Sequence, residues 1–202
     1  THPLPQDRIN WIQLALNSNE ECNYESDKEL EKRFNLIKAK LFGFTHSYDE
    51  TKAVYKLNNN QGLYANAVSS YLNGDHDKAI EYLEILIENS NSNPFFKEII
   101  GEIYFMKQNY EEAIYFQTNA LNNLGFENDL YTMMLGNYLL SSEKKEKIID
   151  SIYYLKKSIQ LNRMNAYSWY LLARSYALID DISLANYATA ERYFLIGERS
   201  LS

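Results

Sequence analysis

The fold of this chain is decided by a pattern that occurs twice, as GDHDKAIEYL at residues 74–83 and as QNYEEAIYFQ at residues 108–117. In both stretches a polar turn precedes an amphipathic helical segment whose alanines, Ala79 and Ala113, lie 34 residues apart. Equivalent small residues follow after intervals of 38 and 34 residues, at Ser151 and Ala185. This period predicts stacked helix–turn–helix units, because each unit can bury its apolar face only against its neighbours.

A second feature of the repeat is a small residue at the eighth position of the first helix of each unit. These residues are Ala67, Gly101, Gly136 and Ala173. Because glycine costs about 1 kcal/mol in a helix interior relative to alanine, Gly101 and Gly136 predict close helix contacts. With Trp169 at the large aromatic position, the pattern resembles the tetratricopeptide (TPR) family. The resemblance implies an all-α fold, a TPR-type α-solenoid of antiparallel helix pairs in a right-handed superhelix. Its repeats are predicted at about residues 60–93, 94–128, 129–165 and 166–198.

The region before residue 60 has a looser pattern, and a degenerate helix pair is predicted at residues 28–58. Its first helix, residues 28–42, has apolar residues at helical spacing, and Gly43 is predicted to stop it. Its second helix is predicted at residues 48–57. Further upstream, the sequence predicts a short amphipathic helix and then a polar linker, at residues 5–16 and 17–27.

Composition and motifs argue against several classes of function. The net charge of −7 and the pI near 5.1 disfavour binding to nucleic acid, whose phosphates would be repelled. No apolar run approaches the roughly 20 residues that span a bilayer. The H-E-x-x-H motif of zinc peptidases is missing, His46 and His76 are isolated, and Cys22 has no nearby histidine. We therefore predict no catalytic and no metal-binding residue in this chain.

Protein binding is the better expectation, because in TPR folds positions 2, 5, 9, 12 and 13 of the first helix face the concave groove. The residues predicted to bind there are Tyr64, Val68, Tyr71, Phe95, Glu98, Glu102, Phe105, Asn137, Tyr167, Tyr170 and Arg174. Such a groove would be aromatic and apolar with a few charges, which suits extended or partly unfolded segments. The alternative is that many of these side chains are buried against a neighbouring helix or domain. A carboxylate clamp for chaperone tails is not expected, since Tyr64 and Val68 replace its lysine and asparagine.

The first residues carry a more specific resemblance. THPLPQDRI at residues 1–9 resembles the T-H-P-x-x-x-x-R-I segment that closes the catalytic domain of HtpX-like zinc metallopeptidases. One subfamily, that of the beta-barrel assembly-enhancing protease, continues into a C-terminal TPR domain. Three further segments resemble that domain in the same order, namely residues 34–44, 93–102 and 169–176.

This resemblance implies that residues 1–24 are the end of a metallopeptidase domain with its linker, and that residues 25–202 are its TPR domain. The chain would be a fragment, with no cofactor of its own, while zinc would belong to the missing catalytic domain. His2 and Arg8 become candidates for contact with that peptidase site, although His2 is equally well explained as a cap on the following helix. The location would be periplasmic or membrane-associated.

Two hypotheses of function follow from the sequence. The first is a protein-binding TPR domain of a bacterial zinc metalloendopeptidase in envelope protein quality control. Its partners would be unfolded or outer-membrane proteins and their assembly machinery, with no nucleic acid and no membrane span. The alternative is a free-standing TPR scaffold with no protease attached. A homodimer formed through exposed end helices is a further expectation.

Overall fold

The computed structural model describes residues 5–18 and 27–197, and within them the chain forms eleven helices and no strand. The helices are α1 (Pro5–Ser18), α2 (Lys28–Thr45), α3 (Tyr48–Val54), α4 (Asn60–Leu72), α5 (His76–Asn89), α6 (Pro94–Met106), α7 (Tyr110–Asn123), α8 (Asp129–Ser141), α9 (Lys145–Leu161), α10 (Ala166–Leu178) and α11 (Ile182–Leu195). The all-α class predicted from the sequence is confirmed. The predictions that concern His2, Cys22 and most of the 17–27 linker lie outside the described residues.

The chain divides into two compact units, residues 1–38 and 39–202, so α2 begins in the first unit and ends in the second. In the first unit α1 has no buried residue, and its Trp11 is largely exposed. The first turns of α2 carry an exposed ion pair between Arg33 and Glu29 at 3.4 Å. The second unit contains all four predicted repeats.

Helix pairs form the second unit, and we call the first member of each pair the A helix (α4, α6, α8, α10) and the second the B helix (α5, α7, α9, α11). Every A helix begins after an asparagine whose side-chain oxygen accepts a hydrogen bond from a backbone N–H of the first turn. These caps are Asn59, Asn93, Asn128 and Asn165. They satisfy donors that a helix N-terminus otherwise leaves unpaired.

The turn from each A helix to its B helix contains one residue in the left-handed conformation. These residues are Gly74 (φ 83°), Gln108 (φ 59°), Glu143 (φ 55°) and Asp180 (φ 62°). In three of the turns the following N–H reaches back five residues, as when Asn109 donates to the carbonyl of Tyr104 at 2.9 Å. This hydrogen bond is the Schellman ending of a helix, which allows a short return to the next helix.

The two glycines at the eighth position differ in their contacts. A Cβ on Gly136 would lie 2.7 Å from Cγ of Leu155, a fully buried residue of α9. On Gly101 a Cβ would meet its nearest atoms on α7 at 3.4 Å, which is ordinary van der Waals contact. The close approach predicted from these glycines is therefore confirmed as a steric requirement at Gly136, whereas the space at Gly101 admits a methyl group.

Gly43 does not stop α2, so that prediction is wrong. The helix continues to Thr45, and a Cβ on Gly43 would lie 2.5 Å from the carbonyl oxygen of Ala65. Gly43 therefore lets α2 contact α4, which the sequence pattern of a terminal glycine cannot distinguish from a stop. The helix that follows, α3, ends at Val54 rather than at the predicted residue 57.

Candidate protein-binding site

The predicted binding residues lie on the four A helices, and we call the surface that these helices share the A-helix face. Side chains of successive A helices touch along it. The ring of Phe105 on α6 stacks on that of Tyr138 on α8, with centroids 4.5 Å apart. The hydroxyl of Tyr71 on α4 lies 3.4 Å from Sδ of Met106 on α6. The face is therefore continuous from α4 to α8.

The residues predicted on α4 are less accessible than the others. Tyr64 is 3% exposed and Val68 is fully buried, with its Cβ close to Gly43 of α2. This burial fits the alternative in which predicted groove residues pack against a neighbouring helix. Tyr71 is half-buried and borders the surface of α6.

The centre of the face is α6, where Glu98 and Glu102 stand one turn apart. Glu98 accepts a hydrogen bond from Nζ of Lys40 at 3.3 Å, and the Glu98 side chain is only 18% exposed. The hydroxyl of Tyr131 on α8 donates to the same carboxylate oxygen at 3.5 Å. Glu102 forms no ion pair among the described residues, and the nearby Tyr71 hydroxyl, which donates to Sδ of Met106, lowers its pKa.

Burial shapes the protonation of this cluster. It raises the pKa of Glu102, and the nearby charge of Glu98 acts in the same direction. The hydrogen bond from Tyr71 and the charge of Lys40 oppose that shift without cancelling it. Burial also raises the pKa of four tyrosine hydroxyls, so they stay neutral at physiological pH, namely Tyr64, Tyr71, Tyr131 and Tyr138.

Two of these hydroxyls are buried without a hydrogen-bond partner. Tyr64 is 3% and Tyr138 is 2% exposed, and neither hydroxyl is bonded within the part of the chain that is described. Both interact electrostatically with the α6 carboxylates. Besides burial, the charge of Glu98 raises the pKa of the Tyr64 hydroxyl, and the charge of Glu102 raises that of the Tyr138 hydroxyl. A buried polar group without a partner costs free energy. The cluster around Glu98 and Glu102 therefore contains two hydroxyl groups whose hydrogen-bonding capacity is not satisfied.

The far end of the face, on α10, is exposed and cationic. Tyr167 and Tyr170 stack with centroids 5.7 Å apart. The guanidinium groups of Arg174 and Arg192 lie over the Tyr170 ring at 5.8 and 5.1 Å. All three residues predicted on α10 are thus accessible side by side, whereas Asn137, predicted on α8, is half-buried.

Sequence reasoning missed several residues of this site. Lys40, Tyr131, Tyr138 and Arg192 all contact or neighbour the predicted residues, as described above. No sequence signal identifies Lys40, because its partner Glu98 lies 58 residues further along the chain. Tyr138 follows the predicted groove residue Asn137, and only the packing of α8 shows that its hydroxyl points towards α6.

The residues that the sequence discounted have ordinary surroundings. The ring of His46 stacks on that of Phe42 with centroids 3.7 Å apart, and His76 lies 6.0 Å from the ring of Tyr71. Arg8, by contrast, which the resemblance makes a candidate for contact with a peptidase site, is exposed on α1. Within residues 5–18 and 27–197 no cluster of three or more His, Cys, Asp or Glu side chains could hold a metal ion. No helix in these ranges is long and apolar enough to cross a membrane.

The comparisons with known proteins establish the fold. No family model matches the chain, and the search of curated proteins found no significant match. Among solved structures, MamA MSR-1 aligns with a TM-score of 0.69 at 18% identity, over 84% of this chain and 95% of that one. The MamA RS-1 ArsTM double mutant gives 0.69 at 14% identity over 87% and 98%, and MamA AMB-1 gives 0.67 at 15% over 84% and 93%. These neighbours are TPR-like helical solenoids. The chain therefore has the TPR-type α-solenoid fold that its repeat period predicts.

Proposed function

We propose that this chain is a protein-binding scaffold that holds a partner chain along its A-helix face. The observation that supports the proposal is a row of large apolar side chains left exposed on all four A helices. They are Leu72, Phe95, Met106, Leu130, Tyr167 and Leu178. Exposed apolar side chains next to a few fixed polar groups are typical of sites that bind proteins.

The A-helix face is favoured over the B helices because its polar groups are held in place. Tyr153 on α9 is at least as exposed as the apolar residues of the A helices, yet among the described residues its ring contacts only that of Tyr154 on the same helix. On the A-helix face, by contrast, the exposed Phe95 lies next to a carboxylate that Lys40 and Tyr131 hold from two other helices. A partner would therefore meet a preorganised surface there.

A free-standing scaffold accounts for the chain at least as well as the metallopeptidase hypothesis. The structural neighbours are TPR-like proteins, and they give no support for an HtpX-like parent chain. The metallopeptidase hypothesis includes contacts of His2 and Arg8 with a peptidase site, zinc in an upstream domain, and a periplasmic or membrane-associated location. The coding sequence upstream of Thr1 tests the metallopeptidase hypothesis, because that hypothesis requires an H-E-x-x-H motif there.

Site-specific photo-crosslinking in the native cells tests the scaffold function. A photoreactive phenylalanine would replace Phe95 on α6 in one variant and Tyr153 on α9 in a matched control, since both side chains are exposed. We expect discrete adducts with a partner protein from position 95 and none above background from position 153. An adduct of twice the mass of the chain would identify the partner as a second copy. Adducts from position 153 alone would contradict the proposal.

A further inference from the structure

The centre of the A-helix face has a more specific chemistry than the proposed scaffold function requires. We propose that Glu102 binds the side chain of a lysine or arginine in an extended segment of the partner protein. This inference rests on the proposed function and names the residue type that the partner presents to α6. Its basis is the contrast between two carboxylates that stand one turn apart on the same helix.

The chain itself shows how such a carboxylate is satisfied at Glu98. Lys40 of α2 places its ammonium 3.3 Å from Glu98 and 5.9 Å from the centre of the Phe95 ring. The ammonium thus combines a charge-assisted hydrogen bond with a cation–π contact. Glu102 forms no ion pair within residues 5–18 and 27–197, and the charge of Lys40 reaches it only from a distance. A basic side chain from a partner would do at Glu102 what Lys40 does at Glu98.

The hydrogen-bonding groups of Glu98, Glu102 and the nearby tyrosines also favour a lysine or arginine side chain as the ligand. Two carboxylates offer about eight acceptor sites, whereas the hydrogen bonds that reach them come from Lys40 and Tyr131, both to Glu98. The hydroxyls of Tyr64 and Tyr138, each of which can donate one hydrogen and also accept, have no partner. Because two hydroxyl hydrogens cannot fill the open acceptor sites of the carboxylates, a ligand that supplies several N–H groups suits the cluster. Ammonium and guanidinium groups supply them without bringing an acceptor of their own.

The net charge of the cluster and the apolar side chains around it also favour a basic ligand. The two glutamates and Lys40 sum to one negative charge, and the whole chain carries −7, so the mean field attracts a cation. The rings of Phe105 and Tyr138 stack beside the cluster, and Met106 and Phe95 are exposed at its rim. Apolar walls of this kind hold the methylene stem of a lysine or arginine while its charged end reaches the carboxylate. A neutral or acidic side chain would leave Glu102 without an ion-pair partner.

A peptide-library experiment on the full chain tests this inference. Five bead pools would display heptapeptides whose central residue is lysine, arginine, glutamine, norleucine or glutamate, with uncharged random flanking residues. The retention of labelled wild-type protein would be compared with that of Glu102→Gln and of Glu88→Gln, an exposed α5 glutamate whose loss changes the net charge equally. Phe95→Ala serves as a fourth protein, and melting curves of all four establish that they fold.

We expect the lysine and arginine pools to retain the wild-type protein about tenfold more than the norleucine pool, the size of one charge-assisted hydrogen bond. Glu102→Gln should lose this preference, and Glu88→Gln should keep it. Equal retention by all five pools, lowered by Phe95→Ala, would overturn the inference while leaving the scaffold function intact. No retention above empty beads would overturn both. A basic preference that survives in Glu102→Gln would also overturn the inference, because it would reflect the mean charge alone.

Discussion

The helix pairs α6–α7 and α8–α9 occupy successive repeats, and they differ both in their interior and on the face they present. In the interior, both pairs carry glycine at the eighth position, but only at Gly136 would an added Cβ clash with the partner helix. On the A-helix face, positions 5 and 9 hold two carboxylates in α6 and Met133 with Asn137 in α8. Equivalent sequence positions therefore hold charged side chains in one repeat and uncharged ones in the next.

The largest difference we predict concerns the two glycines. Gly136→Ala should lower the free energy of unfolding by about 1–2 kcal/mol, since overpacking against Leu155 costs about 1–3 kcal/mol and the helix propensity of alanine offsets part of it. Gly101→Ala, its matched control, should be neutral or stabilise by up to about 1 kcal/mol. Urea denaturation followed by circular dichroism measures both. Equal losses from the two substitutions would show that the interiors do not differ.

A smaller change in the free energy of unfolding is expected from substitutions in the turns, and it should be the same in the two repeats. Gln108 and Glu143 both adopt positive φ, at 59° and 55°. Glycine at either position should stabilise the chain by about 0.5 kcal/mol, because a left-handed residue other than glycine costs about 1–2 kcal/mol and the flexibility of glycine in the unfolded chain offsets part of the gain. Gly74→Gln, in the first repeat, should have the opposite sign. Stabilisation at only one of the two turns would contradict their equivalence.

On the A-helix face, Glu102→Gln should raise the melting temperature at pH 7. The pKa of Glu102 is raised in the folded state by burial, with Glu98 adding to the shift and with Tyr71 and Lys40 opposing it; Tyr138 also faces the group. A raised folded pKa means that this carboxyl group stabilises the protein less as pH rises through that value. The difference between variant and wild type should therefore shrink as pH falls towards 4. A variant that melts lower than wild type at pH 7 would refute the burial argument.

The smallest effect is expected at Glu111, the exposed carboxylate of α7 in the same repeat, and it should have the opposite sign. Hydrogen bonds from Lys144 and then Lys147 lower the pKa of Glu111 to about 2. The stability that it contributes is present above the ordinary glutamate pKa and is lost as pH falls towards 2. Glu111→Gln should thus melt slightly below wild type at pH 7, with the gap closing in acid. A gap that widens in acid would contradict the ion-pair account.

Much of the fold follows from the sequence because repeats have local signatures. The alanines at 79 and 113 need only their own helix pair to act, so their period can be recognised from the sequence alone. Gly43 was misread because a glycine that ends a helix and a glycine that admits a second helix look alike in sequence. The difference depends on Ala65, which lies on another helix.

The candidate site was only partly predictable for a related reason. Groove positions identified Glu98, Glu102 and Phe105 because the repeat fixes which side of an A helix they occupy. The same rule placed Tyr64 and Val68 on that face, yet the packing of α2 and of the neighbouring rings buries them. Lys40 was missed because it belongs to the degenerate pair, where no repeat pattern assigns a face.

The most direct test of the account is to exchange the two residues at the ninth position. A variant that carries both Glu102→Asn and Asn137→Glu has the same net charge and composition as the wild type. Fluorescence anisotropy would measure binding of an acetylated heptapeptide with a central lysine and of its acetyl-lysine twin. The account predicts that the wild type prefers the lysine peptide by about tenfold and that the exchanged variant has no preference. An unchanged preference in the exchanged variant would contradict it.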